Sequence, residues 1–204
     1  VKNPISCDDL NNPTPSPTRD CTGLFCSCFS ADATVQVIQR TESCKMIPMG
    51  ELQVGDRIYT GDQGYQIVYA FAHRNKEIRA TFLQIWTDQG NSALEVTADH
   101  FVYADGKATP VRADAIKVGN MLQGGAMVTK ISSVQKTGLY APLTLNGKLV
   151  VNGVQASSFV SLAQAEDHPL IGKNLAAYSQ LGVAPFRFLC VNLSAKFCED
   201  YNNG

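Results

Sequence analysis

At 204 residues the chain is long enough for one domain, or two small subdomains sharing a core, and its 45% hydrophobic content fills such a core. A formal net charge of -1, with acidic and basic residues interleaved, leaves no basic face for nucleic acid and no polybasic arm for anionic lipid, so neither partner is expected. No apolar run approaches the roughly 18–20 residues that cross a bilayer, and the opening VKNPISCDDL lacks the plan of a signal peptide, so the chain reads as a piece of a longer protein.

Residues 1–27 carry Pro4, Pro13, Pro15 and Pro17 among Asn, Thr, Ser and Asp, the composition of a linker, and a boundary falls near Cys28. Beyond it, short alternating or β-branched runs recur at Thr34–Ile38, Asp56–Thr60, Ile67–Phe71, Thr81–Trp86, Leu94–Thr97, Phe101–Tyr103, Met127–Val134 and Lys148–Val154. Gly61-Asp62, Asp105-Gly106 and Asn146-Gly147 punctuate them, which predicts an all-β fold built from hairpins. Helical periodicity comes late: Asp167-His168-Pro169 opens one short candidate, and Leu175–Ala195 forms another, interrupted by Gly182 and Pro185.

Seven cysteines (Cys7, Cys21, Cys26, Cys28, Cys44, Cys190 and Cys198) suggest a secreted or extracellular protein with some disulfides. Their odd number leaves one thiol over, an accident or the working residue. Zinc is the competing use, but Cys26-Ser27-Cys28 has one intervening residue where zinc pairs usually carry two to four. Cys190 and Cys198 could pair with leader cysteines or with each other, a choice that spacing does not make.

An internal echo organises the middle of the chain. Met49–Phe71 (MGELQVGDRIYTGDQGYQIVYAF) returns about 64 residues later as Arg112–Val134 (RADAIKVGNMLQGGAMVTKISSV). Both pass through Val-Gly-Asp or Val-Gly-Asn, a glycine turn and a second strand, as duplicated hairpins about a pseudo-two-fold axis would. Between them lies Val96–His100 (VTADH), in which an imidazole able to move protons near neutrality stands three residues from a hydroxyl. Alone, such a pair is more often a structural turn.

Read together and in order, CFSADATV after a linker, GELQVGDRIY, VTADHFVYAD and APLTLNGKLVVNGVQASSFV resemble the autoprocessing domain of hedgehog proteins, the Hint module shared with inteins. The likeness runs from Cys28 to about Leu193. It implies a horseshoe-shaped all-β module with pseudo-two-fold symmetry, divided here into a leader at 1–27, a Hint domain at 28–160 and a helical, adduct-recognition-like tail at 161–204. It also implies roles. Cys28 attacks the Ser27 carbonyl to give a thioester, His100 protonates the leaving nitrogen, and Thr97 polarises the Ser27-Cys28 peptide. The family usually has Gly where Ser27 stands. The aspartate that activates the hedgehog sterol acceptor aligns with His73, and a family cysteine aligns with Ser158, so a second-step role for either differs from the family's. The substrate is the chain's own N-terminal flanking segment, the acceptor is water or a sterol or other alcohol, and a monomer needing no cofactor or metal is expected. An intein would need a C-terminal Asn junction, which YNNG does not supply. A disulfide-stabilised β scaffold that has lost the chemistry is the remaining alternative.

Overall fold

The computed structural model describes residues 27–39, 43–105, 107, 110–158, 184–185 and 187–190. Eleven strands are β1 (Thr34–Ile38), β2 (Cys44–Pro48), β3 (Arg57–Tyr59), β4 (Tyr65–Thr87), β5 (Leu94–Val96), β6 (Phe101–Val102), β7 (Val111–Arg112), β8 (Met121–Leu122), β9 (Ala126–Thr144), β10 (Lys148–Val151) and β11 (Val154–Ser157). They form one curled sheet in the order β7-β6-β11-β10-β1-β3-β4-β9-β8, with β2 added to β1 and β5 to β4. The fold is thus all-β, as the hairpin pattern predicts.

Two strands depart from the sequence expectation. β4 runs 23 residues and β9 runs 19, paired antiparallel as one long bent ribbon. The sequence shows β4 only at its ends, because residues 73–77 are His-Arg-Asn-Lys-Glu, a polar stretch that reads as a loop. The strand is half-buried at His73 and Arg74 and exposed at residues 75–77, so polar side chains are compatible with pairing there. Register shifts between Val68/Ala70, Phe71/His73, Asn75/Arg79 and Trp86/Thr87 take up its bend. The predicted run Lys148–Val154 is instead two strands, split at Asn152 (φ 48) and Gly153 (φ 82), whose positive φ values turn the chain back on itself.

The echo is a structural repeat. Met49–Glu51 and Ala113–Ala115 each form a 3-10 turn followed by a glycine at positive φ, Gly55 at 95° and Gly119 at 88°. Gly55 donates to the Val68 carbonyl and Gly119 to the Val128 carbonyl, both at 2.8 Å, while Asp56 and Asn120 cap Gln53 and Lys117 in the same way. A second pair of segments repeats with them. In Ser30–Ala33 the Ala33 N–H closes on the Ser30 carbonyl at 3.3 Å, and in Thr97–His100 the His100 N–H closes on the Thr97 carbonyl at 3.1 Å. Each turn then receives a 3-10 turn: Met49 and Gly50 donate to Ala33 and Ala31, as Ala113 and Asp114 donate to His100 and Ala98.

The main core, including Phe29, Val35, Leu52, Ile58, Phe71, Ile85, Val96, Leu122, Leu149 and Ala156, lies between the repeats. Full burial of side chains this size stabilises by about 1.5–3 kcal/mol each. A satellite cluster of Cys28, Ala80, Phe82, Leu139 and Ala141 sits on the ribbon. At the other end of the chain, residues 184, 185 and 187–190 are helical. Pro185, expected to interrupt the tail helix, is itself in helical conformation. Cys190 is buried with Tyr69, Ala70 and Leu143, is disulfide-bonded, and Arg187 donates to the Leu145 carbonyl. The rest of the predicted tail, including the Asp167 helix start, and the leader before Ser27 lie outside the described residues.

Candidate active site

Cys28 and its neighbours form no regular strand of their own, yet they are held on both sides. Phe29 bridges Val96 on one flank and Tyr140 on the other, exchanging hydrogen bonds with Tyr140 of 2.8 and 3.1 Å. This wedges the segment between β5 and β9. The Thr97 N–H donates to the Cys28 carbonyl at 3.0 Å, and the Cys28 N–H donates to Thr97 Oγ1 at 2.9 Å. Both bonds are buried, so the first fixes the Cys28-Phe29 peptide and the second the Ser27-Cys28 peptide more firmly than exposed bonds would.

His100 completes the cluster. Its ring packs on Phe29 with centroids 4.3 Å apart, and Nε2 lies 2.9 Å from the Ser157 carbonyl. A carbonyl can only accept, so Nε2 carries the proton and Nδ1 holds a lone pair. Nδ1 is buried and makes no hydrogen bond. Burial pushes the His100 pKa down to about 4, against the opposing pull of the Ser157 carbonyl, Asp99 and the Ser27 backbone. The imidazole is therefore neutral near pH 7. Cys28 is 0% exposed, and burial, with Asp99 second, raises its thiol far above the usual range. The pair at rest is thus a protonated thiol and a neutral imidazole.

Cys28, Thr97 and His100 come together, with Ser27 buried beside them. The sequence expectation gave His100 a hydrogen bond to the Ser27-Cys28 amide; that amide's N–H goes to Thr97, while the Ser27 backbone acts on the His100 ring alongside the Ser157 carbonyl. His73 pairs in the ribbon with Ala141, a member of the Cys28 cluster, which puts its backbone one strand from that cluster. Ser158 stands farther along. Its Oγ accepts from the Thr144 N–H at 3.2 Å and lies 3.2 Å from Thr144 Oγ1. Sequence reasoning did not find the Ser157 carbonyl, which has no side-chain signature, nor Glu95, whose carboxylate meets Ser30 beside Cys28. Glu95 had one signal: an acid between two apolar residues of a strand buried at all three positions.

The Hint module profile matches residues 23–182. The chain belongs to the Hint module family, in its hedgehog branch. It is 33% identical over 179 residues to the hedgehog protein of Drosophila melanogaster, covering 79% of this chain and 35% of that protein. Against warthog protein 6 of Caenorhabditis elegans the identity is 32% over 157 residues, covering 69% and 26%. The chain therefore spans about a third or less of these relatives' length. Among solved structures, the gp41-1 intein superposes with a TM-score of 0.52 at 15% identity, covering 67% of this chain and 99% of the intein. The VidaL intein gives 0.52 at 17%, covering 64% and 95%. At these identities the inteins share the fold. Membership in the Hint family makes this an autoprocessing-type domain.

Proposed function

We propose that residues 28–160 cut their own chain between Ser27 and Cys28 through a thioester, releasing the leader at 1–27 and retaining residues 161–204 as an adduct-recognition-like tail. The observation that carries this reading is a buried, neutral His100, its Nε2 held by the Ser157 carbonyl, beside a peptide whose N–H is held by Thr97. In the first step the Cys28 thiol gives its proton to His100 Nδ1 as Sγ attacks the Ser27 carbonyl carbon. The resulting imidazolium then protonates the Cys28 nitrogen as the C–N bond breaks, leaving a thioester on Sγ and a free α-amine. One proton moves from sulfur to nitrogen and no outside acid or base is consumed. Thr97 holds the departing nitrogen in line throughout.

In the second step water, or an alcohol such as a sterol, attacks the thioester carbonyl and expels the Cys28 thiol. His73 in place of a carboxylate favours water, since a neutral imidazole is a competent base near neutrality. Ser158, held by Thr144, contributes to this step at most by its position. The disulfide at Cys190 and the cysteine count support a secretory or extracellular route, and the unit acts as a monomer on its own flanking segment.

The test is intact mass over time of protein with extra upstream residues, incubated alone, with dithiothreitol or hydroxylamine, and with a sterol in detergent. A fragment ending at Ser27 as a free acid supports hydrolysis, and one heavier by an esterified sterol names the alcohol. No fragment even with strong thiol overturns the reading in favour of the inactive scaffold. Cys28→Ala abolishes cleavage by water and thiol alike. His73→Ala spares thiol-induced cleavage while slowing the uninduced reaction; equal loss of both would put His73 in the first step or in the fold.

A further inference from the structure

Glu95 is 7% exposed, yet its carboxylate is surrounded by donors. Ser30 Oγ donates to Oε2 at 2.5 Å, Lys136 Nζ to Oε2 at 2.8 Å and Gln84 Nε2 to Oε1 at 2.9 Å. Lys136 also reaches Asp32 at 2.8 Å, and Gln84 in turn accepts from Ser132 at 3.1 Å. Glu95, Gln84 and Ser132 are register partners on β5, β4 and β9, so a polar ladder crosses three strands and ends on Ser30, two residues past Cys28. Burial alone would raise the Glu95 carboxyl, but the bonds from Lys136, Ser30 and Gln84 outweigh it and hold the group ionised below its usual range. On the far side, Gly138 (φ 105) lets β9 approach the Ser30–Ala33 turn; a Cβ there would sit 2.9 Å from the Ala31 methyl.

We infer that Glu95 and Lys136 are positioning residues for the nucleophile, acting through Ser30. This rests on the autoprocessing reading above. The segment Cys28–Ser30 is joined covalently to the residues upstream by the bond that is to be cut. Once the C–N bond breaks, the Cys28 α-amine is free, and the register of Phe29 against Val96 and Tyr140 depends on what grips the chain downstream. Ser30 supplies that grip, and Glu95 with Lys136 supplies its charge balance. A lone carboxylate left at this depth would recruit other donors and drag Ser30 with it.

The experiment compares Lys136→Met, Glu95→Gln and the double variant Lys136→Met/Glu95→Gln with the parent chain. It reads dithiothreitol-induced cleavage, iodoacetamide alkylation of Cys28 by peptide mass mapping, and the thermal midpoint. Lys136→Met slows cleavage about tenfold or more and speeds Cys28 alkylation by a similar factor, because it strips a buried carboxylate of its charged partner. The double variant, neutral again, recovers both rates to within about threefold of the parent. Parental rates in Lys136→Met overturn the inference, and so does a double variant as slow as Lys136→Met at an equal midpoint. If Lys136→Met does not fold, Glu95→Gln carries the test: more than a threefold loss of cleavage at a parental midpoint upholds positioning, and no loss overturns it. Absence of cleavage in the parent chain would instead sink the autoprocessing reading, and the alkylation rates would still decide the inference.

Discussion

The turns Ser30–Ala33 and Thr97–His100 have the same backbone and opposite employment. Each closes on its own first carbonyl and each receives a 3-10 turn. Each sends a hydroxyl toward the residue two places before the other turn's hydroxyl: Ser30 Oγ to Glu95 Oε2, and Thr97 Oγ1 from the Cys28 N–H. Phe29 and Val96, which bridge one another, stand where the two copies meet. One copy spends its polar groups on a charge-balanced brace. The other, with His100 where the first has Ala33, aims them at a peptide bond. A duplicated scaffold thus gives, in the reading proposed above, catalysis and support from one backbone geometry, with side chains deciding which half does which.

The largest effect expected from breaking this asymmetry is at His100. His100→Ala makes the second turn like the first and slows thiol-induced cleavage by a factor of about 10²–10⁴, the usual contribution of a positioned acid–base group. It also changes acid stability. The imidazole ordinarily titrates at 6.5 and is pushed down to about 4, so between those values the unfolded chain binds a proton that the folded one refuses. Stability therefore falls as pH drops through that window, by about 3 kcal/mol in all, and His100 contributes no further slope below it. Urea melts from pH 7 to 4 read this slope, and His100→Ala flattens it. Glu95, with its carboxyl held low, contributes a separate loss confined to pH below its usual range of 4.5.

Thr97 comes next. Thr97→Val removes the acceptor for the Cys28 N–H and strands a buried donor, slowing cleavage about tenfold or more, while Thr97→Ser restores most of the rate. An equal defect in both variants would mean that Thr97 acts by packing. The smallest effect sharpens the contrast between Asp32 and Asp99, equivalent residues of the two turns. Asp32 is paired with Lys136, whereas Asp99 has no ion pair among the described residues and its charge bears on both His100 and Cys28. Asp99→Asn lowers the pH at which His100 protonates, read by nitrogen chemical shifts, and Asp32→Asn leaves it unchanged.

Much of this was legible in the residues. Thr34–Ile38 alternates and is a strand with those bounds, and the Val-Gly-Asp and Val-Gly-Asn turns marked the duplication because each needs a glycine at positive φ. What stayed hidden shares a cause, which is that local pattern reports burial and not partnership. β2 is an exposed edge strand with no apolar alternation to betray it. The centre of β4 is polar at Asn75-Lys76-Glu77, where the strand is exposed. Glu95 and Lys136 are 41 positions apart with no local pattern that pairs them, while the acceptor that fixes the His100 tautomer is main chain.

The burial of Cys28 has a chemical consequence of its own. Oxidants and disulfides are attacked by thiolates, and a thiol kept protonated and out of reach of solvent is close to inert toward them. The same molecule carries Cys190 in a disulfide and Cys28 as a free thiol. Burial works here as a protecting group does in synthesis, keeping the sulfur protonated and unspent, and in the autoprocessing reading proposed above His100 is the reagent that removes the protection from within.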